Sequence, residues 1–472
     1  MKFLYNIFVF LFLFSFSFGL ISDYTIHTDD QVIFIDYFGF YKNGTAKMSI
    51  DISPFQYNLQ FYVCSYKTQG SIDIDSIDFC SHIRFKCWTQ IYIHNESFYW
   101  EGNIPTKDHY FFYVTQCNQT HDLTLDLDYT FMNPGGQYLS TDEIPLPKIF
   151  LSFLIIWVLV VILWFINWLL HRDQKIKLHT LITLTLCIRI ITIILQLSYW
   201  QTLSKKGKVN LSFYVTVLVF EYIQDYFFFG TIILIAKGWC ITREKLRNQE
   251  KTNIILLLFF LVFLIQLFDV ITSTWIWLIV ILLFIVYFLI LRLIFKATAD
   301  NKNQLKVQMI FVRNHNIDPR TTPHFRKYQL FKQFHWFFSV FVVWQIICFV
   351  IGILFLIFYP WLVVLLLQIA DFVLLAGITF IFRLKTFHPL FEEVPENYLT
   401  ISSPNTNNYE SIIDENDQQV ELKEWRKGMI LPQPQDQDII ILQNPNENTK
   451  LSDSIGFVDN QPQYHSPNQN NF

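Results

Sequence analysis

Seven apolar stretches lie between Lys148 and Arg383, near 149–170, 176–198, 213–236, 253–271, 274–295, 334–358 and 360–383. As helices rising about 1.5 Å per residue, each reaches across, or nearly across, a hydrocarbon core of about 30 Å. No water is present there to bond the backbone. A spanning segment must therefore satisfy its own N–H and C=O groups, which a single apolar run does only as an α-helix. The feature confines residues 146–385 to a seven-transmembrane α-helical bundle. Composition agrees: 52% of the chain is hydrophobic and 16% is charged, against about 25% charged in a soluble globular protein. Membrane lipids are the expected surroundings, and with no strongly basic domain, nucleic acid is not an expected partner.

Residues 1–19 read as a signal peptide. Lys2 precedes an apolar run from Phe3 to Phe18 that is short for a span, and Ser17 and Gly19 stand at −3 and −1 of a cut before Leu20. Cleavage delivers the following segment to the lumen or the exterior. The basic residues give the same orientation independently. Loops between spans 1–2, 3–4 and 5–6 carry 3, 5 and 8 Lys or Arg, whereas those between spans 2–3, 4–5 and 6–7 carry 3, 0 and 0. The first set is cytosolic by the positive-inside rule, with the amino terminus lumenal or extracellular and the carboxyl terminus cytosolic. Lys205, Lys206 and Lys208 are the exception. The loop holding Lys296 to Lys332 has the charge to touch anionic lipid headgroups.

Residues 20–145 alternate instead of running apolar. Leu123, Leu125, Leu127, Tyr129 and Phe131 occupy every second position, and 48–52, 59–63 and 110–114 also read as strands. Asn43-Gly44 signals a turn between two such runs. The sum is a lumenal or extracellular β-sandwich. Its Cys64, Cys80, Cys87 and Cys117 point to two disulfides in an oxidising compartment, with three connectivities open. Their spacing does not make a zinc knuckle. Asn43, Asn95 and Asn118 each begin an Asn-x-Ser/Thr sequon and are expected to carry glycans. Pro145 and Pro147 predict a stiff extended connector from Glu143 to Pro147 between sandwich and bundle.

Arg189 falls in the middle of the second span, Glu221 and Asp225 in the third, and Asp371 in the seventh. A charge at the bilayer centre costs about 2.5–3.5 kcal/mol on insertion scales, so these four should face the bundle interior as a polar core. Glu221 and Asp225 stand four apart on one helix face, and Arg189 is expected to pair with one of them. Such a core either locks helix packing or lines a pathway for a ligand, lipid or ion.

The third span ends without Asp-Arg-Tyr, and the seventh has neither a Lys nor Asn-Pro-x-x-Tyr. A rhodopsin-type receptor is disfavoured. No catalytic nucleophile, metal-ligand set, cofactor motif or phosphate cradle is present in the sequence, so neither an enzyme nor a bound cofactor is expected. Residues 386–472, rich in Asn, Gln, Asp and Pro, read as a disordered cytosolic tail. Within them, Tyr398-Leu-Thr-Ile401 and Tyr409-Glu-Ser-Ile412 fit the Tyr-x-x-apolar pattern that clathrin adaptors bind in extended form.

Three stretches carry a resemblance. Phe38-Gly-Phe-Tyr-Lys-Asn-Gly44, the joint Asn133-Pro-Gly-Gly-Gln-Tyr-Leu-Ser-Thr-Asp-Glu-Ile-Pro-Leu-Pro147, and Gly238-Trp239 are similar to signatures of the lung seven-transmembrane receptor family. These are also known as GOLD-domain seven-transmembrane proteins. The chain departs from the family at Phe382-Arg383-Leu384, where members often read Phe-Arg-Pro. The resemblance implies a GOLD-like sandwich, with Cys80 joined to Cys117 and Cys64 to Cys87. It also implies a Golgi, endosomal or cell-surface protein of membrane trafficking that meets an unidentified lumenal protein or ligand. A signalling receptor resembling G-protein-coupled receptors is the alternative expectation, and ion conduction a further one.

Overall fold

A computed structural model of the chain describes residues 21–28, 31–53, 59–66, 87–116, 123–174, 176–243, 245–270, 276–355, 360–383 and Trp425. The leader, Cys80, Cys117, Asn118, Tyr398, Ile401, Tyr409 and Ile412 lie outside them.

The amino-terminal unit is two four-stranded antiparallel sheets. In one, β1 (Ile21–Thr28) pairs with β8 (Leu123–Met132), β8 with β3 (Thr45–Ser53), and β3 with β6 (Ser97–Asn103). In the other, β2 (Val32–Phe40) pairs with β7 (Asp108–Gln116), β7 with β4 (Leu59–Ser65), and β4 with β5 (Thr89–Ile93). Alternation in β8 puts Leu123, Leu125, Leu127, Tyr129 and Phe131 inward, with Asp126 and Asp128 outward, as the two-residue period of a half-buried strand requires. Aromatic rings lock the sheets face to face: Phe131 of β8 stacks on Phe112 of β7 with centroids 4.5 Å apart. Asn43 takes φ +66° in the turn that carries the chain from β2 in one sheet to β3 in the other. Cys64 of β4 is disulfide-bonded to Cys87. Closing that 23-residue separation restricts the unfolded chain by about 3 kcal/mol.

Seven helices long and apolar enough to cross a bilayer follow among the described residues: α1 (Leu146–Leu170), α2 (Lys177–Lys206), α3 (Leu211–Ala236), α4 (Asn248–Val270), α5 (Ile276–Asn314), α6 (Pro323–Phe355) and α7 (Pro360–Ile381). Sequential helices pack side by side, and α1 also meets α7, closing the ring. In α1, Phe150, Phe153, Trp157, Val161 and Trp164 recur at helical spacing and are buried, while Leu151, Ile155, Leu159, Ile162 and Leu163 stay exposed. So large an uncovered apolar face belongs against acyl chains. Of the seven helices, α2 is the most enclosed.

Two expectations are corrected. Pro145 lies in the α-helical region (φ −71°, ψ −23°) and caps α1 directly, so the connector from Glu143 to Pro147 is not extended. Proline suits a first helical turn, where its fixed φ is already helical and its missing N–H costs nothing. The expected loop of 296–333 is mostly helix: α5 runs on to Asn314 and α6 begins at Pro323. At about 1.5 Å per residue, the 39 residues of α5 measure about 58 Å, well beyond a bilayer core. Ala297, Leu305, Met309 and Val312 continue its buried face. Lys205 and Lys206 occupy the last turn of α2 before Gly207 at φ +71°, where cations complement the helix dipole.

Candidate functional site

Arg189, on the enclosed helix α2, is 3% exposed. Its guanidinium ties three helices. Nη1 donates to Oε1 of Gln224 on α3 at 2.7 Å, and Nη2 to Oε1 of Gln368 on α7 at 2.7 Å. Nη2 also meets Oδ2 of Asp371, again on α7, at 3.5 Å. The same cation lies 5.9 Å from the ring centre of Trp157 on α1, bringing a fourth helix into the group. Nε of Arg189 is buried with no hydrogen-bond partner among the described residues.

The carboxylate that meets Arg189 is therefore Asp371, not Glu221 or Asp225. Rotation explains the correction. At 100° per residue, α3 turns the face bearing Gln224 toward α2 and carries Asp225 past it. Glu221, one turn away, instead accepts from Nε2 of Gln196 at 2.7 Å. On α7, Gln368 and Asp371 stand three apart and share one face, so both reach a single guanidinium.

Other polar contacts extend this site along α2. Thr185 Oγ1 and Thr231 Oγ1 are 2.9 Å apart, one turn from Arg189. Thr192 donates to the Phe220 carbonyl at 3.3 Å. Nearer the far end, Trp164 Nε1 donates to Thr183, and His179 Nε2 meets the Phe382 carbonyl at 3.0 Å. At the sandwich end, the Tyr138 N–H donates to the Ser204 carbonyl at 3.0 Å. The space lined by Thr185, Arg189, Gln224, Phe228, Asp371 and Leu375 is too tight for a water molecule. Chemically this is a packed, charge-assisted hydrogen-bond network.

The joint couples the sandwich to α2 and α1. Asn133 is 1% exposed; its Oδ1 accepts from the Tyr41 N–H at 2.6 Å, and its Nδ2 donates to the Gly39 and Leu139 carbonyls. A Cβ at Gly39 would meet Thr141 Oγ1 at 2.2 Å, so any larger residue there must displace the Thr141 side chain. His109 of β7 holds Asp142 at 2.6 Å, and Tyr129 donates to Asp36 at 2.5 Å. Burial pushes the Glu143 carboxyl up to about 7, with Asp142 and Asp36 adding to the rise. Its Oε2 has no partner among the described residues. On the opposite side, Gly238 turns the end of α3 at φ +73°. There Asn301 of α5 donates to the Ala236 carbonyl at 2.9 Å and accepts from Thr242 at 2.8 Å.

Asn43 and Asn95 are exposed at turns of the sandwich. Sequence reasoning missed Gln224, Gln368, Gln196 and Asn301 because it counted charges and not amides. Amides within apolar runs were the available signal, since they too need partners in a membrane.

The sequence of residues 145–383 matches the seven-transmembrane domain of the GOST family. A relative from Arabidopsis thaliana, the protein Candidate G-protein coupled receptor 6, is 23% identical over 280 residues. That match covers 54% of this chain and 64% of the relative, so the chain spans less than two thirds of the relative's length. With the family's domain taking in half of the chain and its joint and Gly-Trp motifs in place, this multi-pass membrane protein belongs to the GOST family, the lung seven-transmembrane receptors.

Proposed function

We propose that the protein is a receptor-like trafficking factor of secretory and endosomal membranes. Its sandwich binds a lumenal protein or ligand, and its tail meets cytosolic coats. The observation that carries the reading is the run of polar contacts along α2. It begins at Ser204, where the joint is bonded to the helix, passes Gln196, Thr192, Arg189 and Thr185, and ends at His179 on the opposite side. A partner on the sandwich shifts the bundle only if it binds one bundle arrangement more tightly than another, and a bonded helix supplies a means for that difference to cross the membrane. Tyr398 and Tyr409 support the coat-binding half from sequence alone.

A signalling role is the second reading, favoured by the printed name of the Arabidopsis thaliana relative. Ion conduction is disfavoured by the closed packing around Arg189. Tagged protein at native expression decides between the first two. Steady-state residence on Golgi or endosomal membranes, with slowed cargo exit on deletion, supports trafficking. Plasma-membrane residence with unchanged secretion overturns it. Glycosidase treatment tests the orientation in the same cells: a mobility shift lost on Asn43→Gln with Asn95→Gln and Asn118→Gln is expected, and no shift together with freely alkylated Cys64 and Cys117 would overturn the orientation.

A further inference from the structure

The helical hairpin made by α5 and α6 rises beyond the bundle on the side away from the sandwich. Asn301 of α5 is level with the end of α3, which it bonds through the Ala236 carbonyl. From there α5 continues to Asn314, thirteen residues and about 20 Å further. A tight turn closes the tip. Asp318 accepts from the Arg320 N–H at 2.9 Å and starts the 3₁₀ turn Pro319–Thr321. Thr321 Oγ1 donates to the Asp318 carbonyl at 2.8 Å, and Thr322 is fully buried. The Thr321 hydroxyl has one further contact: it accepts from the backbone N–H of Trp425 at 3.0 Å. Trp425 itself is half-buried, although it lies more than a hundred residues along the chain.

We propose that the tip of this hairpin is a docking surface for the chain's own tail, held at Trp425. The occupant is this segment because its backbone is already bonded to the turn. Tethering favours the contact as well. About 40 residues separate Arg383, at the end of α7, from Trp425. At up to about 3.3 Å per residue, that length of chain is ample to cover the roughly 20 Å by which α5 runs on past Asn301. Such a tether holds the segment at an effective concentration on the order of millimolar, enough to populate a weak contact. Docking makes the hairpin and the tail one composite surface. The inference does not depend on the trafficking reading, since it concerns only where the tail binds.

Hydrogen exchange on the full chain in nanodiscs tests it. A peptide containing Trp425 should exchange about tenfold more slowly than peptides from 440–470. Thr321→Val should bring it to their rate, Thr321→Ser should not, and tenfold dilution should change nothing. Should Thr321→Val unfold the turn, truncation after Glu424 gives the second reading, with faster exchange expected at Thr321 and Thr322. Random-coil exchange at Trp425 in the parent, or no response at the turn to the truncation, overturns the proposal. Protection that disappears on dilution also overturns it, because the contact would then join two copies.

Discussion

Replacing Arg189 by Leu tests the network in the bundle. The substitution removes two 2.7 Å bonds from a charged donor and the ion pair to Asp371. It leaves the buried Gln224 and Gln368 side-chain carbonyls and the half-buried Asp371 carboxylate without their cation. Breaking a buried pair by deleting one partner costs about 3–5 kcal/mol, most of it the uncompensated charge left behind. At roughly 2–4 °C per kcal/mol for a unit of this size, the melting temperature in detergent should fall by about 10 °C. Asp371→Asn alone should cost less, since an Asn Oδ1 keeps an acceptor facing Nη2. In Arg189→Leu with Asp371→Asn no charge is stranded, so the double variant should be more stable than the two separate losses added together. The recovery, the coupling energy of the cycle, should be about 1–3 kcal/mol. Glu221→Gln and Asp225→Asn combined with Arg189→Leu should recover close to nothing. A coupling to Glu221 or Asp225 as large as that to Asp371 would refute the assignment. A parent-like melting point for Arg189→Leu would refute the lock itself.

Three more outcomes follow from the geometry. Glu143 has a folded pKa raised to about 7 by burial, so its contribution is fully present below pH 4.5 and is lost as pH rises to about 7. The loss is about 3 kcal/mol, visible as a falling melting temperature across that window that Glu143→Gln flattens. Gly238→Ala should cost more than 2 kcal/mol, combining a φ of +73° with a Cβ 2.1 Å from Thr242 Oγ1. Gly135→Ala, at φ +86° with nothing within 4 Å, should cost only about 1 kcal/mol, and equal losses in melting temperature would count against this account of Gly238. Asn133→Ala strands the Tyr41 N–H and the Leu139 carbonyl, while the Gly39 carbonyl keeps the Thr141 N–H at 2.9 Å. It should lower stability by about 2–4 kcal/mol, read as faster exchange at Tyr41.

The parts of this chain that were legible are those where one local rule acts alone. Alternation from Leu123 to Phe131 could only bury one side of a strand, and it does. The apolar runs marked all seven helices because hydropathy and membrane insertion measure the same free energy. Legibility failed where two physical effects share a residue. Pro145 restricts its neighbours like a connector and fits a first turn like a helix start. Which use prevails depends on hydrogen bonds made by Leu146 and Ile149 back to Glu143 and Pro145, and these have no signature in residue type. From Lys296 onward hydropathy falls, yet Ala297, Leu305, Met309 and Val312 keep the helical spacing. A reading that weighs apolar content finds a loop, while one that follows periodicity finds the hairpin. The partner of Arg189 was hidden for a different reason. It depends on which helices are neighbours, and the contact between α1 and α7 that closes the ring is set by the whole bundle. Within that limit the amides still carried information. Gln368 stands three residues before Asp371, and Gln224 stands beside Asp225, both in runs of apolar side chains. Because a membrane interior offers polar groups only each other as partners, Gln224, Gln368 and Asp371 compete for few donors. Arg189 supplies two donor nitrogens on the most enclosed helix, and all three converge there.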